Sequence, residues 1–248
     1  MAGTGAQFER AAALEASQER LARLSRMSYG MLHALLCGDP AEAAEWVRHA
    51  AQAGVPAARV RLGRMLLEGR GVPQDQAAAF EWFERAASQE DAEAMNMVGR
   101  CHENGWGVPV DLSRAAASYR ASAAAGHDWG QYNFAHLLFD GRGVARDTAA
   151  AFRWYLRAAC QGLARAMNIV GRCLEQGWGC RCDLEEAAHW YRRSAESGYF
   201  RGQYNYAVVL IERGQPQLAV PWLHRAASGG NAQMRRVIAD LLAGRSSR

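Results

Sequence analysis

Apolar and polar positions alternate with a helical period along most of this chain. Segments such as AEAMNMVGRCHEN and AAAFRWYLRAACQG place apolar residues three and four positions apart and end at or next to a glycine. Glycine tolerates the left-handed geometry that ends a helix. The Asp that follows each Gly-x-Gly loop can accept the free amide hydrogens of a new helix. The pattern therefore predicts helix hairpins, each with a first helix, a glycine loop and a second helix.

The predicted hairpins repeat every 36 residues, and three markers keep this register. The loop glycines are Gly69, Gly105, Gly141 and Gly177, the aspartates are Asp75, Asp111, Asp147 and Asp183, and the tryptophans are Trp46, Trp82, Trp154 and Trp190, with Ser118 at the missing tryptophan position. A single hairpin cannot bury its apolar face, whereas stacked hairpins can. We therefore predict an all-α fold, a right-handed α/α solenoid of about six helix-hairpin repeats with capping helices at both ends.

Two sets of positions are predicted to form the core of each hairpin. Small residues in the first helices allow close approach of the paired helix. They are Gly63, Gly99, Ala135, Gly171 and Ala207. The tryptophans of the second helices are expected to fill the core against them. The second helices end at Gly54, Gly126, Gly162, Gly198 and Gly230, with Glu90 as the one departure.

The pattern A-x-x-x-L-G-x-x-x-x-x-G-x-G-V-x-x-D-x-x-x-A-x-x-W-x-x-x-A-A-x-x-G resembles the Sel-1-like repeat family, whose members are relatives of the tetratricopeptide repeat proteins. The predicted repeats are 23–54, 55–90, 91–126, 127–162, 163–198 and 199–230, between an N-terminal capping helix in 1–22 and a C-terminal capping helix and tail in 231–248. The resemblance implies a non-catalytic scaffold or adaptor in bacterial signalling, regulation or complex assembly. It would bind a protein or peptide in its concave groove.

The resemblance to tetratricopeptide grooves also implies a set of binding residues. One inward-facing position per hairpin is held by Arg64, Arg100, His136 and Arg172. Asn133 and Asn205 align with the asparagine that grips a terminal carboxylate in carboxylate-clamp relatives. Arginine forks suit carboxylates, so an acidic or C-terminal peptide is the implied partner. In the alternative, Arg100 and Arg172 pair with Glu103 and Glu175 on a solvated helix surface.

Trp106 and Trp178 are the other candidate partner-binding residues. They replace Arg70 and Arg142 in the glycine loop, a position that tolerates charge and is therefore expected to be exposed. An exposed tryptophan is a favoured interface anchor. The alternative is that each ring folds back onto the hairpin below, which the neighbouring glycines also allow.

The stretch GRCHENGWGV resembles a reactive centre but is predicted to be structural. Cys101, His102 and Glu103 are consecutive on a helix, so their side chains point about 100° apart. His102 occupies a position held elsewhere by leucine, which predicts burial. The absence of lysine excludes the Walker A loop, protein kinases and Schiff-base enzymes in their usual form. We predict no enzymatic activity and no cofactor.

The alternative function is a metal- or redox-responsive protein, or an enzyme, that uses the region of Cys173, Cys180 and Cys182. Cys173, Cys180, Cys182 and His189 follow one another as C-x6-C-x-C-x6-H, and a loop between paired helices can bring such residues together around zinc. The spacing is not a standard zinc signature. Cys180 and Cys182 replace Val108 and Val110, which suggests small apolar substitutions.

Composition restricts the environment and the partners. The formal net charge of +4 is spread among interleaved acidic residues, so no nucleic-acid partner is expected. No apolar stretch has the length of a membrane helix, which argues against membrane insertion. The N-terminus lacks the pattern of a signal peptide, so a cytoplasmic location with reduced cysteines is expected. The sequence does not indicate an oligomeric state.

Overall fold

The computed structural model describes Ala22 and residues 38–242. Within this part of the chain there are twelve α-helices and no β-strand, which confirms the predicted all-α helical repeat fold. The helices are α1 (Pro40–Gln52), α2 (Pro56–Glu68), α3 (Gln76–Ala87), α4 (Ala92–Asn104), α5 (Leu112–Ala124), α6 (Asp128–Asp140), α7 (Thr148–Cys160), α8 (Ala164–Gln176), α9 (Leu184–Glu196), α10 (Phe200–Glu212), α11 (Pro216–Gly229) and α12 (Ala232–Leu242).

The described helices belong to two compact units, which divide in the sequence between Ala125 and Gly126. In the first unit, α2 pairs with α3 and α4 pairs with α5. In the second unit the hairpins are α6 with α7, α8 with α9 and α10 with α11, and α12 packs on α11. Helix α12 lies where the C-terminal capping helix was predicted. The N-terminal capping helix and the first helix of repeat 23–54 fall outside the described residues, apart from Ala22.

The helix ends form as the repeated markers predict. The four loop aspartates each accept a hydrogen bond from the backbone amide three residues later, at 2.8–3.0 Å. Four first helices, α2, α4, α6 and α8, end at a glycine in the left-handed region, with φ between 69° and 74°, whereas α10 ends at Arg213 with φ −81°. Helix start and helix stop are therefore encoded locally, by a side-chain acceptor and by a residue without a Cβ.

The second glycine of the loop has a different role from the first. At Gly71, Gly107 and Gly179 a Cβ would overlap the backbone carbonyl of Pro40, Gln76 and Thr148 respectively. Each of these three partners is the first residue of a second helix in the preceding hairpin. The loop of one hairpin thus rests directly on the backbone of its predecessor.

In four hairpins the aromatic residue that fills the core follows the tryptophan position instead of occupying it. These residues are Phe83, Tyr119, Tyr155 and Tyr191, all at most 2% exposed. In three hairpins the ring lies directly over the small residue of the first helix, and a Cβ at that glycine would lie 2.5–2.7 Å from ring carbons. This contact explains the glycine periodicity in the first helices.

The prediction that the second-helix tryptophans form the core is therefore largely wrong. Trp190 is buried at 6% exposure, but Trp82, Trp154 and Trp222 are only half-buried. Over each of these four rings lies the guanidinium of the arginine three residues later, 4.4–4.9 Å from the ring centre. A cation over a ring face substitutes for core packing, because the positive charge is attracted to the π-electrons.

None of the described helices is long and apolar enough to cross a membrane.

Candidate functional site

The stretch around Cys101 is structural, because its side chains enter different surroundings. The Cys101 side chain is fully buried, and burial raises the pKa of its thiol to about 12. His102 is 6% exposed and packs edge-on against Phe80, with ring centres 5.4 Å apart. Glu103 accepts a hydrogen bond from Tyr119. Burial keeps this thiol protonated at neutral pH, whereas the thiolate is the form that acts as a nucleophile or metal ligand.

In the first unit, Arg64 and Arg100 line one cleft between the first helices α2 and α4. The cleft has a volume of about 450 Å³. It is lined by Arg64, Leu67, Glu68, Gln74, Gln76, Met97, Arg100 and Trp106. Arg64 forms an ion pair with Glu93 of α4, and the Arg100 guanidinium lies 4.9 Å from the centre of the Trp106 ring. The position that was predicted to face inward therefore places Arg64 and Arg100 in one concave site.

A second cleft of about 290 Å³ adjoins the first, since Arg64 and Glu68 line both. It adds the side chains of Arg61 and Arg70. Arginines outnumber carboxylates along these two clefts, so this part of the first unit presents a positive surface to solvent.

In the second unit the predicted residues lie on the first helices α6, α8 and α10. His136 is exposed, with its Nδ1 2.7 Å from the Tyr155 hydroxyl. Arg172 is exposed and lies 5.2 Å from the centre of the Trp178 ring. Asn133 is half-buried. We call the surface of the first helices that carries Arg64 and Arg100 in the first unit, and His136 and Arg172 in the second unit, the first-helix face of each unit.

Asn205 is engaged within the protein instead of standing open as a carboxylate grip. Its Nδ2 donates a 2.8 Å hydrogen bond to Oδ1 of Asn168, which is 3% exposed. The contact joins α8 to α10. Part of the hydrogen-bonding capacity of Asn205 is thus used to hold two first helices together.

Trp106 and Trp178 are half-buried, which departs from the expectation of an exposed loop position. Trp106 packs against a buried core cluster of the first unit, as Leu66 and Leu67 also do. Trp178 contacts Phe139, with ring centres 5.4 Å apart. The alternative in which each ring folds back onto a neighbouring hairpin describes this geometry, with an arginine covering one face of each ring.

The two glutamates proposed as arginine partners accept hydrogen bonds from core tyrosines. Tyr119 donates to Glu103 at 2.7 Å, and Tyr191 donates to Glu175 at 3.1 Å. Burial and the adjacent carboxylate raise the pKa of both hydroxyls, so they remain donors. In the preceding repeat the residues equivalent to Tyr119 and Glu103 are Phe83, which has no hydroxyl, and Leu67, and both belong to one apolar cluster. The sequence signal for the contact is therefore that both positions change together from apolar to polar.

The cysteine-rich loop does not assemble a metal site. Among the described residues, no group of three His, Cys, Asp or Glu side chains is placed to hold an ion. Cys173 is buried, and burial raises the pKa of its thiol to about 12. The Cys180 and Cys182 thiols point to the backbone carbonyls of Cys173 and Glu175, at 3.4 and 3.2 Å. His189 is exposed on α9, beside Trp190.

One cluster on the first-helix face escaped the sequence analysis. Trp129, Arg165 and Arg201 are each the second residue of a first helix in the second unit. The Arg165 guanidinium lies 5.4 Å from the centre of the Trp129 ring and 5.8 Å from that of Tyr199. The 36-residue spacing of these three positions was available as a signal, but the residue types differ from one repeat to the next.

Hairpins that share the same helix caps and the same ring-over-glycine contact define an all-α helical-repeat protein. Comparison with known families gives the same class. The Sel1 repeat model matches residues 17–55, 56–91, 92–127, 130–163, 164–199 and 201–231. The chain therefore belongs to the Sel1-repeat family. Proteins of this family generally mediate protein–protein interactions and are typically non-catalytic.

Solved structures agree with this assignment. The chain is similar to a protective antigen with an SLR fold from uropathogenic Escherichia coli, at 30% identity and a TM-score of 0.70. That match covers 88% of this chain but only 49% of the antigen, so the chain spans about half its length. A Sel1 repeat protein from Oxalobacter formigenes is 26% identical, with a TM-score of 0.69 over 79% of this chain and 84% of the other. A search of curated proteins gives no match.

Proposed function

We propose that this protein is a non-catalytic scaffold that holds a protein or peptide partner on its first-helix face, through Arg64, Arg100, Asn133, His136, Arg172 and Asn205. Bacterial regulation or complex assembly is the proposed setting. The family assignment supports binding in general. The observation that carries the proposed surface is a repeated arrangement, in which Arg100 lies over Trp106 and Arg172 lies over Trp178.

This arrangement suits the recognition of acidic groups. A guanidinium held over a ring has lost part of its rotational freedom before a ligand arrives, which reduces the entropic cost of binding. Its N–H groups point outward from the plane edge, where they can donate two parallel hydrogen bonds to a carboxylate. The cleft beside Arg64 and Arg100 adds concave apolar surface from Leu67 and Trp106 for the remainder of a peptide.

The test is partner capture from the lysate of the source organism, identified by mass spectrometry. The variant is the triple change Arg64→Glu, Arg100→Glu and Arg172→Glu. Its matched control is Arg120→Glu, Arg153→Glu and Arg181→Glu, which makes the same charge change at exposed positions off the first helices. Circular dichroism checks that both variants keep their helical content.

We expect a partner that the wild type and the control triple retain and that the first-helix triple loses. A partner retained equally by both triples would place binding elsewhere. Failure of the wild type to retain any reproducible partner would contradict the scaffold proposal itself.

A further inference from the structure

The first helices of the second unit begin with a cluster of aromatic and cationic side chains. Trp129, Arg165 and Arg201 occupy equivalent positions in α6, α8 and α10, and Tyr132 and Tyr199 complete the group. Trp129 is 36% exposed, Arg165 and Arg201 are exposed, and the two tyrosines are half-buried. We call these five residues the aromatic–arginine cluster.

Contacts within the cluster fix the side chains relative to one another. Arg165 lies against both Trp129 and Tyr199, and the Trp129 ring meets Tyr132 edge-on, with ring centres 5.8 Å apart. Arg201 extends over Phe200, 5.7 Å from its ring centre. Side chains from three successive first helices are thereby joined into one surface.

The positive charge of the cluster is not neutralised within the described chain. Among the described residues, neither Arg165 nor Arg201 forms an ion pair with a carboxylate. Asp128 is the acidic residue next to Trp129, and it accepts a 2.6 Å hydrogen bond from the Trp129 amide while lying 4.0 Å from His127. Burial, and to a smaller extent Tyr199, raise the pKa of the Tyr132 hydroxyl. The positive charges of Arg165 and Arg201 act on this pKa in the opposite direction.

The geometry decides which anionic ligand the cluster suits. Arg165 already covers part of the Trp129 and Tyr199 faces, so these faces are poorly available for stacking with nucleobases. The edges of the two guanidiniums and the Tyr132 hydroxyl, on which both arginines act electrostatically, remain as hydrogen-bond donors. This donor set matches carboxylate oxygens. The exposed part of the Trp129 ring offers apolar contact beside them.

We propose that the aromatic–arginine cluster is a binding site for the acidic side chains of a peptide segment, with Arg165 and Arg201 as its carboxylate anchors. This inference rests on the proposed function, because it assigns the chemistry of one part of the first-helix face. It adds residues outside the position occupied by Arg64, Arg100, His136 and Arg172.

The experiment measures binding of end-blocked peptides to the full chain by fluorescence anisotropy. The probe is a labelled peptide pool with two fixed glutamates among varied positions, and its control pool carries glutamine instead. Blocking both ends leaves the side chains as the only carboxylates. The protein variants are the double change Arg165→Gln with Arg201→Gln and the matched double change Arg153→Gln with Arg181→Gln, at exposed sites off the first helices.

We expect the glutamate pool to bind the wild type and the matched variant alike, and the cluster variant to bind about tenfold or more weakly, since hydrogen bonds to charged groups are lost. The glutamine pool is expected to bind weakly to all three proteins. A milder variant, Trp129→Leu, removes the ring beneath Arg165 without changing charge and is expected to show an intermediate loss.

Three outcomes would overturn the inference. They are no binding of the glutamate pool to the wild type, equal binding by the cluster variant, and binding of a single-stranded RNA oligonucleotide that depends on Arg165 and Arg201. The first two leave the scaffold proposal intact if lysate capture still depends on Arg64, Arg100 and Arg172. If peptide binding still depends on the cluster but lysate capture does not depend on Arg64, Arg100 and Arg172, the proposed binding role of those three arginines is contradicted instead.

Discussion

The hydroxyl of Tyr119 donates a 2.7 Å hydrogen bond to Oε2 of Glu103, which joins the second helix of a hairpin to the first. In the preceding hairpin the equivalent residues are Phe83 and Leu67, which pack in one apolar cluster. The polar pair of Tyr119 and Glu103 thus corresponds to an apolar pair in the repeat before it.

Changing Tyr119→Phe is expected to lower the free energy of unfolding by about 1.5–3 kcal/mol, because a hydrogen bond to a charged group is lost. Adding Glu103→Leu is expected to recover part of this loss by recreating the apolar pair. Urea denaturation of the two single variants and the double variant measures the coupling. Phe83→Tyr is the reverse control and is expected to destabilise, and strictly additive losses would contradict the pairing.

Gly179 and Gly198 separate backbone geometry from packing. Both have φ in the left-handed region, at 72° and 82°, but only at Gly179 would a Cβ overlap a neighbouring backbone, that of Thr148. Gly198→Ala is expected to cost about 1–2 kcal/mol from the left-handed conformation alone. Gly179→Ala is expected to cost about 1–3 kcal/mol more, because the start of α7 must move. Equal losses in thermal unfolding would show that the loop is not seated on α7.

Glu90 is the one described non-glycine residue with positive φ, at 61°, where other second helices end at glycine. Glu90→Gly is expected to raise the free energy of unfolding by about 1 kcal/mol, since it relieves the left-handed penalty of a residue with a Cβ. The adjacent Gln89→Gly serves as the comparison and is expected to destabilise through chain entropy. Chemical denaturation of both variants distinguishes the two effects.

The buried thiols predict a fall in stability at alkaline pH. Burial raises the pKa of Cys101 and of Cys173 from 9.0 to about 12 in the folded protein. Above pH 9.0 the unfolded chain therefore releases thiol protons that the folded chain keeps, so the free energy of unfolding falls as pH rises. The tyrosines of the unfolded chain, whose ordinary pKa is 10.0, add to this fall as pH approaches 10.0, so the cysteine contribution is isolated by substitution.

The measurement is the slope of the free energy of unfolding against pH between pH 9.0 and pH 10.0. Cys101→Ala with Cys173→Ala is expected to flatten the slope, whereas Cys160→Ala with Cys182→Ala, at exposed sites, is expected to leave it unchanged. Thiol labelling of the native protein gives an independent check, with Cys160 and Cys182 reacting before the buried pair. Identical slopes for the two double variants would contradict the assignment.

His102 is expected to be a stability defect. Its Nδ1 is buried and is the one buried side-chain nitrogen or oxygen without a hydrogen-bond partner in the described part of the chain. Leucine occupies the equivalent position in three other repeats, so His102→Leu is expected to raise stability by about 1–3 kcal/mol. Leu174→His is the reverse variant and is expected to destabilise. A loss of partner capture by a well-folded His102→Leu protein would show that the histidine has a binding role.

The caps and the repeat fold were predictable because each depends on one residue type at one position. Asp111 needs only an acceptor side chain at a helix start, and Gly105 needs only the absence of a Cβ at a helix end. The core aromatic was harder, because adjacent residues such as Trp154 and Tyr155 are both apolar and point about 100° apart. The small residue on the facing helix decides between them.

The candidate site was only partly predictable, because its contacts join different helices. Arg64 with Glu93 and Asn168 with Asn205 meet across neighbouring hairpins, and the repeat period does not specify which side chains on adjacent first helices touch. Arg165 was missed for the same reason. The repeat boundaries, the cytoplasmic location and the roles of the first-helix residues stay predictions.

The second loop glycine packs on the backbone of the preceding hairpin. This contact also restricts how the length of such a chain can change. The same backbone atoms receive Gly71, Gly107 and Gly179, at Pro40, Gln76 and Thr148. A duplicated or deleted block of whole repeats therefore offers an unchanged junction to the hairpin that follows. Insertions of any other length would set a loop against the side of a helix instead of its start, so growth of the array is restricted to whole-repeat steps.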